Sequence, residues 1–416
     1  MKVLWVKANK LLPLHSGGNI RSYHILRQLA ARHDLSLFSY YEGNRDAEYE
    51  NELTLQFPGA IYLYTGNHSL ERNLDYLFRF PMQVPYAVAR FRSAAVQSQL
   101  KDCFHQERFD IVVCDFLDAA INLPDRLSVP AVLFQHNVES EIWRRHFLTT
   151  TNPVRRLIYG VEFTKMLRYE QRAVHRFDHI IAVSEHDRQL MSAWTKASRI
   201  TVVPTGVDVK QYRPGHSARS PEKPLVLFVG AMDWGPNIDA VEYFCREIWP
   251  SIVDKIPAAR FRIVGRNPAR PVQTLASSSV AVTGSVVSVL DHLHEAAVVV
   301  VPLRVGGGTR LKIYEAMAAG KAVVSTTIGA EGLDVHPGQD IVLADEPNTF
   351  AEAVLLLLQD REARRRYEQA ASTLAARYDW ATIGEKFSDV LESLVTARIT
   401  QKTHRTVQGQ GTGIPR

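Results

Sequence analysis

Cysteine is scarce in this chain. Cys103, Cys114 and Cys245 are the only three in 416 residues. Their odd number and wide spacing exclude a disulfide framework and a zinc-type ligand set, and fit a reducing compartment. Long apolar runs are missing too. No stretch approaches the about 18 consecutive apolar residues of a membrane-crossing helix, and the first residues enter a strand at 3–6 without a signal-peptide profile. The expected location is therefore cytoplasmic. A large excess of one charge is also lacking: 49 Lys and Arg against 44 Asp and Glu leave a net charge of +5. Nucleic-acid binding does not follow from so small an excess, whereas an anionic small substrate or an anionic membrane surface is compatible with it. No G-x-G-x-x-G follows the first strand with an acidic residue about 20 positions later, which argues against a nicotinamide dehydrogenase. His292 and His294, two apart on a helix, lie on different faces and do not read as a metal pair.

What the chain does have is length and alternation. It exceeds the about 250–300 residues that one hydrophobic core usually serves, so two domains are expected. Apolar runs at 3–6, 35–41, 61–64, 109–115 and 131–135 alternate with segments of helical spacing. This is the pattern of a parallel sheet covered by helices. A long helix is expected over 152–177, rich in Arg and Lys; its cations read as a solvated face or, alternatively, as a docking face for acidic lipids. Residues 212–224 carry Pro, Ser and charge without periodicity, so they read as a linker, with a first domain over 1–211. The βα pattern restarts at 225 and runs to 378. A last amphipathic helix is expected over 379–399, and the tail 400–416 reads as disordered.

The most informative stretch is 298–325, VVVVPLRVGGGTRLKIYEAMAAGKAVVS. A doubly buried strand ends near Pro302. Gly306, Gly307 and Gly308 follow, then Thr309 as an expected N-cap and a helix to about Gly320. Glycines admit a ligand close to the backbone, and a helix start offers unpaired N–H groups at a positive dipole end. Phosphate suits such a place. Lys312 and Glu315, three apart on the helix, would set a cation by the phosphates and a carboxylate for sugar hydroxyls.

GGGTRLKIYEAMAAGKAVV, with VPLR before it and GAEGL after it, resembles the nucleotide-sugar site of retaining glycosyltransferases of family 4. The segments PTGVD and QHNVE resemble that family as well, although Thr205 stands where Asn is usual. The resemblance implies the α/β GT-B fold: two Rossmann-like doubly wound domains facing across a cleft, with the C-terminal helix crossing back to the first. It implies transfer of a sugar from a nucleotide diphosphate donor to a glycan, lipid-linked or other acceptor, with retention and without a metal or other cofactor. His136 and Glu315 are then the expected catalytic-site residues. Gly17, Gly18, Gly230, Arg266, Val286, Gly307, Gly308, Thr309, Arg310 and Lys312 join Glu315 as the expected donor site. A peripheral position at the inner face of the cell membrane is a further expectation.

Three departures from the family pattern shift weight within this site. Ala231 and Pro236 stand where an Arg and a Lys usually neutralise the donor diphosphate, and Gly307 replaces a glutamate that usually contacts the sugar. Arg310 and Lys312 are the expected substitutes for those cations. A nucleotide-sugar epimerase of similar fold, or a noncatalytic nucleotide-sugar-binding regulatory protein, are the alternatives; the latter would be expected to have lost both Glu315 and His136.

Overall fold

The computed structural model describes every residue except 15, 67–71, 214–223, 306–309 and 410–416. β-Branched runs become strands buried on both faces, because helices cover each sheet on two sides. Contacts divide the chain into two units, one of Met1–Val203 with Ile383–Arg416, the other Pro204–Thr382.

In the first unit the strands are β1 (Lys2–Ala8), β2 (Asp34–Tyr41), β3 (Ile61–Tyr64), β4 (Ile111–Asp115), β5 (Ala131–Gln135), β6 (His179–Ala182) and β7 (Ile200–Val202). They form one parallel sheet in the order β3-β2-β1-β4-β5-β6-β7. Its helices are α1 (Gly17–Ala30), α2 (Ala47–Gln56), α3 (Arg72–Arg79), α4 (Tyr86–Ala89), α5 (Ala94–Gln106), α6 (Glu139–Thr149), α7 (Pro153–Arg176) and α8 (Glu185–Ser192). The strand order reverses between β1 and β4, where doubly wound sheets hold their ligands. Register pairs Lys7 with Asp115 there.

The second unit contains β8 (Leu225–Val229), β9 (Arg260–Val264), β10 (Val280–Val282), β11 (Val298–Val301), β12 (Ala322–Ser325) and β13 (Val342–Leu343). They are ordered β10-β9-β8-β11-β12-β13 and are again all parallel. The helices are α9 (Gly235–Tyr243), α10 (Trp249–Lys255), α11 (Arg270–Gln273), α12 (Val289–Glu295), α13 (Leu311–Ala318), α14 (Pro347–Gln359) and α15 (Arg361–Ala375). Here the reversal lies between β8 and β11. α13 therefore begins at a ligand-binding edge.

The final helix, α16 (Trp380–Gly409), belongs from Ile383 onward to the first unit. Phe387 packs on Trp5 and Phe134, with ring centroids at 5.7 and 5.0 Å, and Ser388 lies 2.6 Å from His33 Nε2. Two boundaries differ from the sequence expectation. Residues 204–211 group with the second unit, because Val207 N donates to Tyr378 O and the backbone of Gly206 lies against the Trp380 ring. α16 continues to Gly409, past the expected start of a disordered tail at 400, since no Pro or Gly interrupts 400–408 and several residues there are good helix formers. Among the described residues no helix is long and apolar enough to cross a membrane.

Candidate functional site

The second unit brings Gly230, Arg310, Lys312 and Glu315 to its strand reversal. Gly230 follows β8, and its N–H donates to Val264 O at 2.9 Å. A Cβ on Gly230 would stand 2.6 Å from Asn237 Nδ2 and 2.7 Å from Lys312 Nζ, so glycine is needed for these side chains to lie over the strand end. Lys312 Nζ donates to Asn237 Oδ1 at 2.8 Å and sits 4.3 Å from the centre of the Phe228 ring. Asn237 in turn donates from Nδ2 to Ala231 O at 2.9 Å. Neutral partners hold this amine, and no carboxylate ion-pairs with it among the described residues. Burial, and next Arg310, push its pKa down to about 7.

Arg310 is 4 % exposed and occupies the N-cap position of α13, one residue later than the expected Thr309. Gly307, Gly308 and Thr309 lie outside the described residues. Glu315, one turn along from Lys312, is raised by burial and hydrogen-bonded by the Tyr212 hydroxyl. Arg266 follows β9, and its buried Nε has no hydrogen-bond partner among the described residues. Val286 is half-buried in the loop before α12.

The first unit places the remaining three. Gly17 and Gly18 form the first turn of α1, capped by Ser16, whose side chain accepts from Asn19 N. His136 follows β5 and is 1 % exposed. The turn into α6 is fixed by Glu170 on α7. Its carboxylate accepts from Gln135 Nε2, Glu139 N, Ser140 N and Ser140 Oγ at 2.6–3.1 Å. Both nitrogens of His136 are committed. Arg21 Nη1 donates to Nδ1 at 2.7 Å, so the ring is neutral and Nε2–H donates to Asp115 Oδ1 at 2.7 Å. Burial drives its pKa down to about 3 despite Asp115. Phe116, at φ 68°, stacks on the imidazole at 3.7 Å, and its ring fills the space a Cβ on Gly18 would need. His136 is thus held in one tautomer and presents no open nitrogen.

Asp115 completes this cluster. Burial would raise its carboxyl, but Lys7 at 3.2 Å and the His136 hydrogen bond hold it well below the usual range, and Trp5 Nε1 adds a third donor at 3.1 Å. The sequence reading missed Lys7, Arg21, Asp115, Phe116, Asn237 and Tyr212. For Lys7 and Asp115 a signal existed, since two buried strands end in opposite charges. Arg21 and Phe116 had none.

Comparison with known proteins decides the family. A model described as "Glycosyltransferase Family 4" matches residues 15–211, and one described as "Glycosyl transferases group 1" matches residues 223–360. The chain belongs to glycosyltransferase family 4. This glycosyltransferase is 25 % identical to a phosphatidyl-myo-inositol mannosyltransferase of Mycolicibacterium smegmatis, over 76 % of this chain and 80 % of that one. It is 20 % identical to an uncharacterized 44.6 kDa protein in the cps region of Klebsiella pneumoniae, over 85 % and 90 % respectively. Its fold matches Anabaena HepE in complex with UDP, with a TM-score of 0.67 and 16 % identity over 95 % of this chain and 100 % of that one. Sucrose-phosphate synthase from Thermosynechococcus elongatus gives 0.70 and 16 % over 95 % and 99 %. The enzyme is a glycosyltransferase with the GT-B fold.

Proposed function

We propose that this transferase binds a nucleotide diphosphate hexose on the second unit and passes the hexose, with retention and without a metal cofactor, to a glycan or lipid-linked acceptor. The observation that carries this reading is Lys312, a cation held over the β8 end by neutral partners where two sheet strands part. A diphosphate there meets Lys312, Arg310 and Arg266 together with the N-terminus of α13, and its charge needs no divalent ion. Glu315 accepts the ribose hydroxyls, sharing its carboxylate with or taking it over from Tyr212. The base lies beside Val286.

His136 on the first unit acts in this reading as a neutral positioning group, since Arg21 and Asp115 already engage it. Two relatives named as mannosyltransferases of phosphatidyl-myo-inositol support a lipid-linked acceptor. In this reading the transfer takes place in the cytoplasm, at the inner face of the cell membrane.

A panel of UDP-, GDP-, ADP- and dTDP-sugars tests the donor reading without any acceptor. The matching nucleotide at about 100 times its Kd should stabilise the fold by about 2.7 kcal/mol and be hydrolysed slowly. If no nucleotide diphosphate raises the melting temperature, the donor site is elsewhere or absent.

A further inference from the structure

One of the six tryptophans is left in the open. Trp5, Trp143, Trp194, Trp249 and Trp380 are buried or half-buried, and Trp5 and Trp249 donate their indole N–H groups to Asp115 and Ser279 at 3.1 and 3.0 Å. Trp234 is 42 % exposed, and among the described residues its indole N–H meets no acceptor and its ring stacks on no other ring. An isolated exposed apolar side chain is ordinary. This one stands where the second sheet reverses.

Trp234 lies in the turn between β8 and α9. β11, the neighbour of β8 across the reversal, is followed by a second exposed apolar side chain, Val305, at 37 %. Asn237, which accepts from Lys312 Nζ, donates its backbone N–H to Trp234 O at 3.0 Å, so the lysine and the indole are carried by the same turn. That turn is tied down. Met232 N donates to Arg266 O at 2.9 Å, Ala269 N donates back to Met232 O at 3.1 Å, and Asp233 accepts from Asn267 Nδ2 at 3.0 Å. A ligand that covers the indole therefore has little backbone left to order.

We infer that Trp234 is the platform on which the hexose of the donor lies, with Val305 at its edge. The inference rests on the donor reading above and adds the sugar to it. In that reading Lys312, Arg310 and Arg266 hold the diphosphate and Glu315 the ribose. The base lies beside Val286 after β10, two strands and roughly 10 Å from the line of β8. The β8 turn is thus at the phosphate end of the donor, and the group attached to that end is the sugar. A pyranose has a face of C–H bonds that an indole covers without any charged partner. Its hydroxyls stay at the rim, where the indole N–H can donate to one of them. Stacking fixes the plane of the sugar over the strand end, which makes Trp234 a positioning and specificity residue.

Pairs of nucleotide and nucleotide sugar test this without an acceptor: UDP with UDP-glucose, GDP with GDP-mannose, ADP with ADP-glucose and dTDP with dTDP-glucose. Acrylamide quenching of tryptophan emission should come mostly from Trp234 and be largely removed in Trp234→Phe. The matching nucleotide sugar should shield the indole, and its bare nucleotide should not. By calorimetry, Trp234→Ala should weaken the nucleotide sugar about tenfold and leave the bare nucleotide and the melting temperature unchanged, with Trp234→Phe recovering most of the loss. A bare nucleotide that shields Trp234, or an alanine variant that weakens both members of a pair equally, would put the base or the phosphates on the ring. Either result overturns the inference and leaves the donor reading standing. So does a Trp234→Ala variant that binds the nucleotide sugar as wild type does. Wild-type protein that binds none of these ligands would remove the donor reading and this inference together.

Discussion

Lys312 is the side chain on which the donor reading turns, and its proton makes the reading measurable. A free lysine amine titrates near about 10.4, whereas burial brings Lys312 down to about 7. Between those values the unfolded chain binds the extra proton and the folded one does not. The cost of burying the amine is therefore fully present below about pH 7 and fades as the pH rises toward the unfolded value. A bound diphosphate would restore the charged form. At pH 8, UDP binding should then take up as much as one proton, and its affinity should fall as the pH rises above 7, by up to about tenfold per unit. Calorimetric titration in buffers of different ionisation enthalpy reads this uptake directly. Lys312→Met should abolish it and weaken UDP roughly tenfold or more; uptake that persists in the variant would place the titrating group elsewhere. Glu315→Ala should raise donor KM about tenfold to a hundredfold, since ribose hydroxyls lose a charged acceptor worth about 1.5–3 kcal/mol. Unchanged donor affinity in that variant would remove Glu315 from the ribose site.

At the scale of elements, the site depends on how closely two strand ends approach. A Cβ on Gly265, just after β9, would come 1.6 Å from Gly230 O, a backbone atom that cannot swing aside. Gly265→Ala should cost stability near the top of the about 1–3 kcal/mol range of overpacking, and should also displace Gly230 from beneath Lys312. A lowered urea midpoint together with weaker UDP binding is the expected result. In the first unit Asp115→Asn leaves the buried Lys7 without its counter-charge, for which about 3–5 kcal/mol is expected. The folded Asp115 carboxyl is held below its ordinary value, so its contribution is present above the usual carboxylate range and is lost as the pH falls through and below it. The two variants also mark where sequence reading stops. Strands of Val and Ile and the helix over Pro153–Arg176 are written in local composition, and so were legible. The surroundings of His136 are not local. Arg21 lies 115 positions away and Asp115 21, and only the parallel register of β1, β4 and β5 brings them together. Without that register the histidine after β5 reads as a positioning or acid/base-assisting residue, and the partners of its two nitrogens stay hidden. Arg310, Lys312 and Glu315 stand together at the start of and along α13, so their grouping was legible. Asn237, which steers Lys312, comes from α9 and was not.

Over the whole molecule, the chain leaves its first unit at Val203 and returns to it at Ile383, so the first core is assembled from both ends of the sequence. The closing contribution is large. Ile383, Phe387 and Leu391 are fully buried, and Phe387 sits between Trp5 of β1 and Phe134 of β5. Gly384 lets the helix lie directly on α1, where a Cβ would meet Gln28 at 2.3 Å. A core split this way is incomplete until the last helix exists, although seven of its strands are made much earlier. Phe387→Ala should therefore lower the unfolding free energy by about 3–5 kcal/mol. A chain ending at Thr382 should lose the first unit's cooperative unfolding altogether, exposing β1 and β5 to protease. Lys312 and Glu315, the proposed donor residues, lie on α13 of the second unit, so Phe387→Ala should leave UDP affinity unchanged when it is measured well below the melting temperature. A truncated chain that resists protease as the full chain does would show that α16 only decorates the first unit. Loss of UDP affinity in folded Phe387→Ala would show that nucleotide binding draws on more than the residues of the second unit.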